Sequence, residues 1–276
     1  MSRNVILVPL DGSKQALSAV PIARSLTEVE GLQIHFLHVG ESSESEAELR
    51  DRLSHQTGLL EGHAVSARAG DPNEAIVPVA QELGAKIIVL CKHCRPHPQH
   101  HLGRTATKVL REAHSPVIFV PPERGISSWY LHHILVPHDG TPTTSAALRP
   151  AVELAERAGA ELLIAHIANF SLRSGEPGTF VSPRYIDQPQ HEWPSWASEF
   201  LNRLACVCPL GHVHLRILLG HGDPTEEILR LSERHSSDMI VLVWRGSWES
   251  PRAGILKEVL SRANCPVLVL RANDES

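Results

Sequence analysis

The sequence contains an internal repeat, and this feature restricts the fold more than any other. Residues 6–13, ILVPLDGS, return as residues 134–141, ILVPHDGT, 128 residues later. Two further motifs recur in the same order: residues 70–76 match residues 222–228, and residues 115–120 match residues 265–270. The chain is therefore predicted to hold two copies of one domain, residues 1–122 and residues 132–273. A functional site must be sought in both.

The second copy is longer because residues have been added in its middle. Equivalent motifs lie 128 residues apart at the first motif, 152 at the second and 150 at the third. The added length falls in residues 169–194, where glycine and proline recur. Because both residue types interrupt regular structure, we expect a long loop here, with neither a helix nor a central strand.

This insertion also carries aromatic side chains in a chain that has few. They are Phe170, Phe180, Tyr185 and Trp193, with Trp196 close by. Aromatic residues in a long loop cover a binding site or meet a partner in some proteins, and pack against their own domain in others. Both interpretations stay open at the level of sequence.

Short β-branched segments alternate with segments of helical length in both copies. In the first copy, residues 5–9 and 33–39 read as strands on either side of a helix at residues 14–28. This alternation is typical of an α/β fold with a parallel sheet between helices. The segments at residues 87–90 and 240–243 are continuously apolar, as expected when both faces of the sheet are covered. We predict five strands in each copy.

Composition excludes several classes of function. An apolar content of 42% supplies a core for each copy without disulfides, and the five cysteines are expected to be reduced thiols. A formal charge of −5 argues against nucleic acid as a partner. No apolar run reaches the roughly 18 residues that span a bilayer, and the N-terminus does not read as a signal peptide. A cytoplasmic protein without a membrane partner is expected.

Ligands of open parallel sheets bind at the carboxyl ends of the strands, where the strand order reverses. The loops after the first and fourth strands of each copy are therefore the candidate binding loops. They are residues 11–13 and 91–103 in the first copy, and residues 139–141 and 244–254 in the second. Asp71 and Asp223, which precede Pro72 and Pro224, are predicted to cap helices and not to form catalytic pairs.

These motifs together resemble the universal stress protein family in its tandem, two-domain form. The resemblance rests on the ILVP-x-DG-S/T motif, the segments LHV at residues 37–39 and AHI at residues 165–167, the Gly-Asp-Pro turns, and GRTATKVLR at residues 103–111. It implies two flavodoxin-like, Rossmann-like domains, each a five-stranded parallel sheet of order 3-2-1-4-5 with helices on both faces. It also implies pairing of the domains within the chain, is compatible with a homodimer, and suggests ATP binding, which one branch of the family performs.

The resemblance also implies which residues would hold the nucleotide. They are Pro9, Asp11, Val39, Gly103, Arg104 and Thr105 in the first copy, and Asp139, Ile167, Gly246 and Gly254 in the second. The chain departs from the family pattern in the phosphate loop, where Cys91 and Cys94 replace two glycines and Val243 replaces another. Because glycine permits close approach of the backbone to phosphate oxygens, both sites are expected to be degraded, the second more than the first.

The first phosphate loop carries a second candidate chemistry. Thiol and imidazole side chains are concentrated in residues 91–101, at Cys91, His93, Cys94, His97, His100 and His101. Zinc takes four nitrogen or sulfur ligands, and a Cys-x-x-Cys pair followed by histidines supplies them. The alternative is a His-rich surface loop that binds metal only adventitiously.

The sequence thus predicts a cytosolic stress-response protein that acts as a ligand-binding module, with an adenine nucleotide such as ATP in the first domain. Two alternatives are a weak ATPase and a zinc-binding regulatory protein that uses the loop at residues 91–101. No combination of nucleophile, base and orienting residue is recognisable, so no catalytic residue is assigned.

Overall fold

The computed structural model describes residues 4–40, 48–49, 62–92, 102–122, 128–168, 178–180, 189–208, 211–246, 248 and 251–272. The chain divides into two compact units. The first consists of Met1–Tyr130 together with Leu260–Arg271, and the second consists of Leu131–Val259 together with Ala272–Ser276.

Strands and helices alternate along both repeats. The first repeat contains β1 (Val5–Leu10), a 3-10 turn (Ala16–Ser18), α1 (Ala19–Glu30), β2 (Gln33–Gly40), β3 (Ala64–Ala69), α2 (Pro72–Leu83), β4 (Ala85–Cys91), α3 (Arg104–Glu112) and β5 (Val117–Val120). The second contains β6 (His133–His138), α4 (Pro142–Ser145), α5 (Leu148–Ala158), β7 (Glu161–Ala168), α6 (Pro189–Val207), β8 (Leu215–His221), α7 (Pro224–Arg234), β9 (Met239–Trp244), α8 (Pro251–Arg262) and β10 (Val267–Arg271).

The sheet of the first unit has the predicted strand order. Its strands run β3-β2-β1-β4-β5, and each neighbouring pair is parallel, which confirms the order 3-2-1-4-5. The sheet continues with β10, which pairs antiparallel with β5 through Leu268 opposite Ile118. The fifth strand of the second repeat therefore belongs by its contacts to the first unit.

The second unit repeats the same pattern of neighbours. Its strands run β9-β6-β7-β8, and all three pairings are parallel. The predicted α/β class with mostly parallel sheets and covering helices is confirmed in both units. The strand interiors are buried on both faces: Ile6, Leu7 and Val8 have no exposed surface, and neither do Leu163 and Ile164.

The predicted helix caps are also present. Asp71 Oδ1 accepts a hydrogen bond from the backbone N–H of Asn73 at 2.9 Å, and Asp223 Oδ1 accepts one from Glu226 at 3.0 Å. In each case proline occupies the first helical position, where the missing N–H costs nothing.

The expectation for the insertion needs a correction at its end. The sequence predicted no helix in residues 169–194, yet α6 begins at Pro189 and continues through Pro194. Proline at the first position of a helix has a suitable φ and lacks only a donor that the helix does not use. Pro189 therefore marks a helix start, whereas Pro194 lies inside α6.

Among the helices within the described ranges, none combines the length and apolar character that crossing a bilayer requires.

Candidate functional site

The sheet of the first unit reverses its strand order between β1 and β4, so the crevice expected for a ligand lies at their carboxyl ends. Asp11 follows β1 directly and is exposed. Pro9 lies two residues before it, within β1. Val39 lies near the end of the neighbouring strand β2 and is buried. The topology thus brings these three predicted residues to one edge of the sheet.

The turn after β1 is held by its own polar groups. Asp11 Oδ1 accepts a hydrogen bond from the backbone N–H of Ser13 at 2.8 Å, and Ser13 Oγ accepts one from Ala16 at 3.1 Å. Gly12 between them has φ +82°, a left-handed conformation that favours glycine. The DGS motif is therefore a structural turn that also presents a carboxylate at the sheet edge.

The starts of α2 and α3 are joined by side chains. Gly103 occupies the N-cap of α3, and Thr105 in its first turn donates a hydrogen bond through Oγ1 to Asn73 Oδ1 at 2.9 Å. Asn73 Nδ2 in turn donates to Asp71 Oδ1 at 2.6 Å. Arg104, beside Thr105, is exposed. The network fixes the orientation of Thr105 while the helix start, with glycine as its cap, presents backbone N–H groups.

One ion pair reinforces the same junction. Lys108 Nζ of α3 lies 2.6 Å from Glu74 Oε1 of α2. The hydrogen bond to Glu74 raises the pKa of Lys108, and the nearby Glu112 carboxylate acts in the same direction. The two helix starts that border the crevice are therefore tied together at two successive turns of α3.

The equivalent aspartate of the second unit is committed to its own helix. Asp139 Oδ1 accepts hydrogen bonds from the backbone N–H of Thr141 at 3.1 Å, from Thr141 Oγ1 at 2.6 Å and from Thr144 Oγ1 at 2.8 Å. Thr141 is the N-cap of α4 and is completely buried. This carboxylate oxygen stabilises the turn into α4.

An aromatic cluster formed by Phe180, Trp196 and Phe200 lies at the same edge of the second unit. The rings are nearly parallel: Trp196 and Phe200 are 4.8 Å apart, and Phe180 lies 5.5 Å from Trp196 and 6.0 Å from Phe200. The guanidinium of Arg203 lies 4.2 Å from the centre of the Phe180 ring. Positions 196, 200 and 203 share one face of α6, so a single helix face contacts the Phe180 ring.

The aromatic cluster packs against two histidines on neighbouring strands, His138 at the end of β6 and His166 two residues before the end of β7. Trp196 lies 4.3 Å from the ring of His166, and Phe200 lies 5.1 Å from the ring of His138. His166 Nδ1 donates to the carbonyl oxygen of His138 at 3.0 Å. Burial lowers the pKa of His166 to about 4, so its imidazole is neutral at pH 7. Ile167, predicted to border a nucleotide, follows His166 and is buried.

The second phosphate loop departs from the family pattern at Val243, which stands where that pattern has a glycine, and it also carries two tryptophans. Trp244 ends β9, is buried, and lies 4.5 Å from the ring of Trp248, over which Lys257 Nζ lies at 4.4 Å. Gly246 keeps a left-handed φ of +82°. Gly254, predicted to stand near a helix start, lies inside α8, which begins at Pro251 and so lacks one terminal N–H donor.

The metal-binding hypothesis falls largely outside the described residues. Cys91 ends β4, and its side chain is buried. His93, Cys94, His97, His100 and His101 belong to residues 93–101, which are not described. Within the described ranges, no group of three or more His, Cys, Asp or Glu side chains is arranged to hold a metal ion.

Sequence reasoning missed Lys92 altogether. This lysine follows Cys91, is 2% exposed, and donates through Nζ to the carbonyl oxygens of Leu260 and Ala263, both at 2.7 Å. Lysine is rarely buried, so nothing in the sequence marks it. The aromatic cluster was foreseeable in part, because the spacing of residues 196, 200 and 203 is that of one helix face.

Comparison with known proteins gives one consistent result. The profile described as Universal stress protein family matches residues 2–121 and again residues 131–271. Universal stress protein YxiE of Bacillus subtilis is 26% identical over 144 residues, which cover 50% of this chain and 97% of that protein. Universal stress protein MJ0531 of Methanocaldococcus jannaschii is 23% identical over 141 residues, which cover 50% of this chain and 81% of that protein.

A solved structure matches both repeats at once. The crystal structure of a universal stress protein from Archaeoglobus fulgidus superposes with a TM-score of 0.70 at 19% identity, covering 98% of this chain and 99% of that one. This likeness shows a shared fold over nearly the whole chain.

Proposed function

Because the chain belongs to the universal stress protein family, we propose that it is a stress-response ligand-binding module whose first unit holds an adenine nucleotide. The observation that carries the proposal is the reversal of strand order between β1 and β4 in the first unit. Asp11 follows one of these strands, and Gly103 caps the start of the helix after the other. A ribose and a phosphate group would each find a suitable partner there.

Each residue has a role that its chemistry permits. Asp11, exposed at the sheet edge, would accept hydrogen bonds from ribose hydroxyls, and the backbone near Pro9 and Val39 would border the base. Gly103, Arg104 and Thr105 would meet the phosphates, because a helix start offers backbone donors and a positive partial charge. Thr105 would contribute its backbone N–H, because its hydroxyl hydrogen is already donated to Asn73 Oδ1.

Cys91 stands where the family pattern has a glycine, so the backbone approach to the outer phosphates is reduced. We therefore expect the affinity to depend on the ribose and the first phosphates more than on the γ-phosphate. Hydrolysis is a separate question, since it needs a group that positions water, and we assign none.

The second unit is expected to bind nucleotide weakly or not at all. The aromatic cluster covers its sheet edge beside His138 and His166, and Asp139 already accepts three hydrogen bonds on Oδ1. Nucleotide binding through Ile167, Gly246 and Gly254 would require the aromatic cluster to leave this edge of the sheet.

Calorimetric titration of ATP, ADP and AMP into the wild type and into Asp11→Ala and Asp139→Ala variants tests the proposal. Asp11→Ala should weaken binding about tenfold or more, the worth of a charge-assisted hydrogen bond, while Asp139→Ala should leave the affinity unchanged. Circular dichroism of each variant checks the fold. Loss of binding in Asp139→Ala alone, or no binding by the wild type, would reject the assignment. A phosphate-release assay on the same samples distinguishes binding from ATPase activity.

A further inference from the structure

The aromatic cluster has the geometry of a stacking site that is already filled. Trp196 and Phe200 present nearly parallel rings along α6, and the Phe180 ring lies at interplanar angles of 14° and 5° to them. Arg203, which Glu199 holds through a hydrogen bond of 3.1 Å, adds a guanidinium 4.2 Å from the same ring. Parallel aromatic rings beside a guanidinium are what a planar heteroaromatic group stacks on.

The position of Phe180 in the fold also indicates that it occupies a ligand-binding position. The cluster lies against His138 and His166, at the carboxyl ends of β6 and β7, which are adjacent parallel strands. This is the edge of a parallel sheet at which small ligands bind. Phe180 comes from the insertion that the first repeat lacks, so the occupant is an addition to the repeated fold.

Phe180 also differs from the rings beneath it in burial. Trp196 is 7% exposed and Phe200 is 1% exposed, whereas Phe180 is only half-buried. The Phe180 backbone N–H donates to the carbonyl oxygen of Gly140 at 2.7 Å. Gly140 has φ +81°, and a Cβ atom there would collide with the carbonyl oxygen of Phe180. The position of Phe180 therefore depends on the close approach of its backbone to Gly140.

We propose that Phe180 acts as an internal ligand of the second unit, and that its place on Trp196, Phe200 and Arg203 is a binding site for a planar heteroaromatic group. A free ligand must displace Phe180, so the intact chain binds it weakly, and removal of the Phe180 ring exposes the site. The proposal concerns the second unit alone and does not rest on nucleotide binding by the first.

Two variants open the site by different routes. Phe180→Ala removes the ring, and Gly140→Ala displaces Phe180 through its backbone while the chain keeps all three aromatic side chains. Phe180→Tyr keeps a ring in this position and is the control for the first. Gly159→Ala, which places an alanine at a left-handed φ of +65° in the second unit where an added Cβ atom would meet nothing within 4 Å, is the control for the second.

The measurement is an NMR titration with adenosine, a neutral probe with a planar base, on full-length protein whose tryptophan indoles are labelled with 15N. The Trp196 resonance, assigned by a Trp196→Phe variant, reports on the second unit only. We expect saturable shifts in Phe180→Ala and Gly140→Ala, with an affinity roughly tenfold or more above the wild type, the contribution of one base stacked on aromatic rings. Phe180→Tyr and Gly159→Ala should behave as the wild type.

Three results would overturn the proposal. The first is absence of any Trp196 shift in both folded opening variants. The second is equal affinity in the wild type and Phe180→Ala. The third is loss of folding in both Phe180→Ala and Gly140→Ala, because Phe180 would then be an indispensable core residue and not an occupant.

Discussion

Lys92 Nζ lies 2.7 Å from the carbonyl oxygen of Ala263, although 171 residues separate them in the chain. The same ammonium donates to the carbonyl oxygen of Leu260, so it neutralises the carboxyl end of α8, where the helix dipole is negative. Both partners belong to the first unit. Arg271 does the same for α3 by donating to the carbonyl oxygens of Arg111 and Ala113.

We expect Lys92→Met to lower the free energy of unfolding by about 3 kcal/mol, because it leaves buried carbonyl oxygens without their donor. Urea denaturation measures the change. Lys86→Met is the matched control, since Lys86 lies on β4, the strand that precedes Lys92, but is exposed. Similar midpoints for the two variants would show that the buried contact contributes nothing.

The stability of the second unit should depend on pH through His166. Its pKa in the folded protein is about 4, below the usual 6.5, so the unfolded chain takes up a proton first as the pH falls. The contribution of neutral His166 to the free energy of unfolding is fully present above pH 6.5. It should decline by about 3 kcal/mol on acidification to pH 4. Urea denaturation at several pH values checks this.

A His166→Gln variant should lose this part of the pH dependence. His114→Gln, which changes an exposed histidine at the end of α3, should keep it. An unchanged pH profile in His166→Gln would mean that other groups cause the acid sensitivity.

The hydrogen bond between Thr105 and Asn73 should couple the starts of α2 and α3. In a double-mutant cycle of Thr105→Val and Asn73→Ala we expect a coupling energy of about 1 kcal/mol in the free energy of unfolding. Thr107→Val, paired with the same Asn73→Ala, is the control because Thr107 Oγ1 donates to the carbonyl oxygen of Leu102 instead. Additive effects in the first cycle would contradict the contact.

The zinc hypothesis makes its own prediction. If Cys91 and Cys94 bind zinc together with nearby histidines, elemental analysis of untagged protein should find more metal in the wild type than in a Cys91→Ser/Cys94→Ser variant. The bound fraction should fall as the pH drops, because protonated thiols and imidazoles cannot coordinate. Equal metal content in the two proteins would contradict the hypothesis and indicate that residues 91–101 are a His-rich segment without a specific zinc site.

Much of the fold could be predicted because strands and turns are encoded locally. The strand predicted at residues 5–9 is observed as Val5–Leu10, and the one predicted at residues 33–39 as Gln33–Gly40. The helix between them starts later than the predicted residue 14, at Ala19. The delay arises because Asp11 and Ser13 cap backbone groups and form a turn first, a competition that hydrophobic periodicity does not report.

The partners of distant segments could not be predicted. Periodicity identifies β10 as a strand but does not name the strand that it joins, and its antiparallel pairing with β5 depends on the whole fold. The position of Phe180 could not be predicted either, because it requires Gly140 and one face of α6 to lie close together in the folded protein. Aromatic content alone left the role of the insertion open.

The pairing of β10 with β5 also has a consequence for synthesis of the chain. A ribosome completes the first repeat about 150 residues before residues 267–271 exist, since translation proceeds from the N-terminus. During that interval β5 is an unpaired edge, and an unpaired edge accepts any strand of suitable pattern, including one from a neighbouring nascent chain. The order of translation thus makes exchange of strands between chains the characteristic misassembly of this architecture, and slow elongation through the second repeat would favour it.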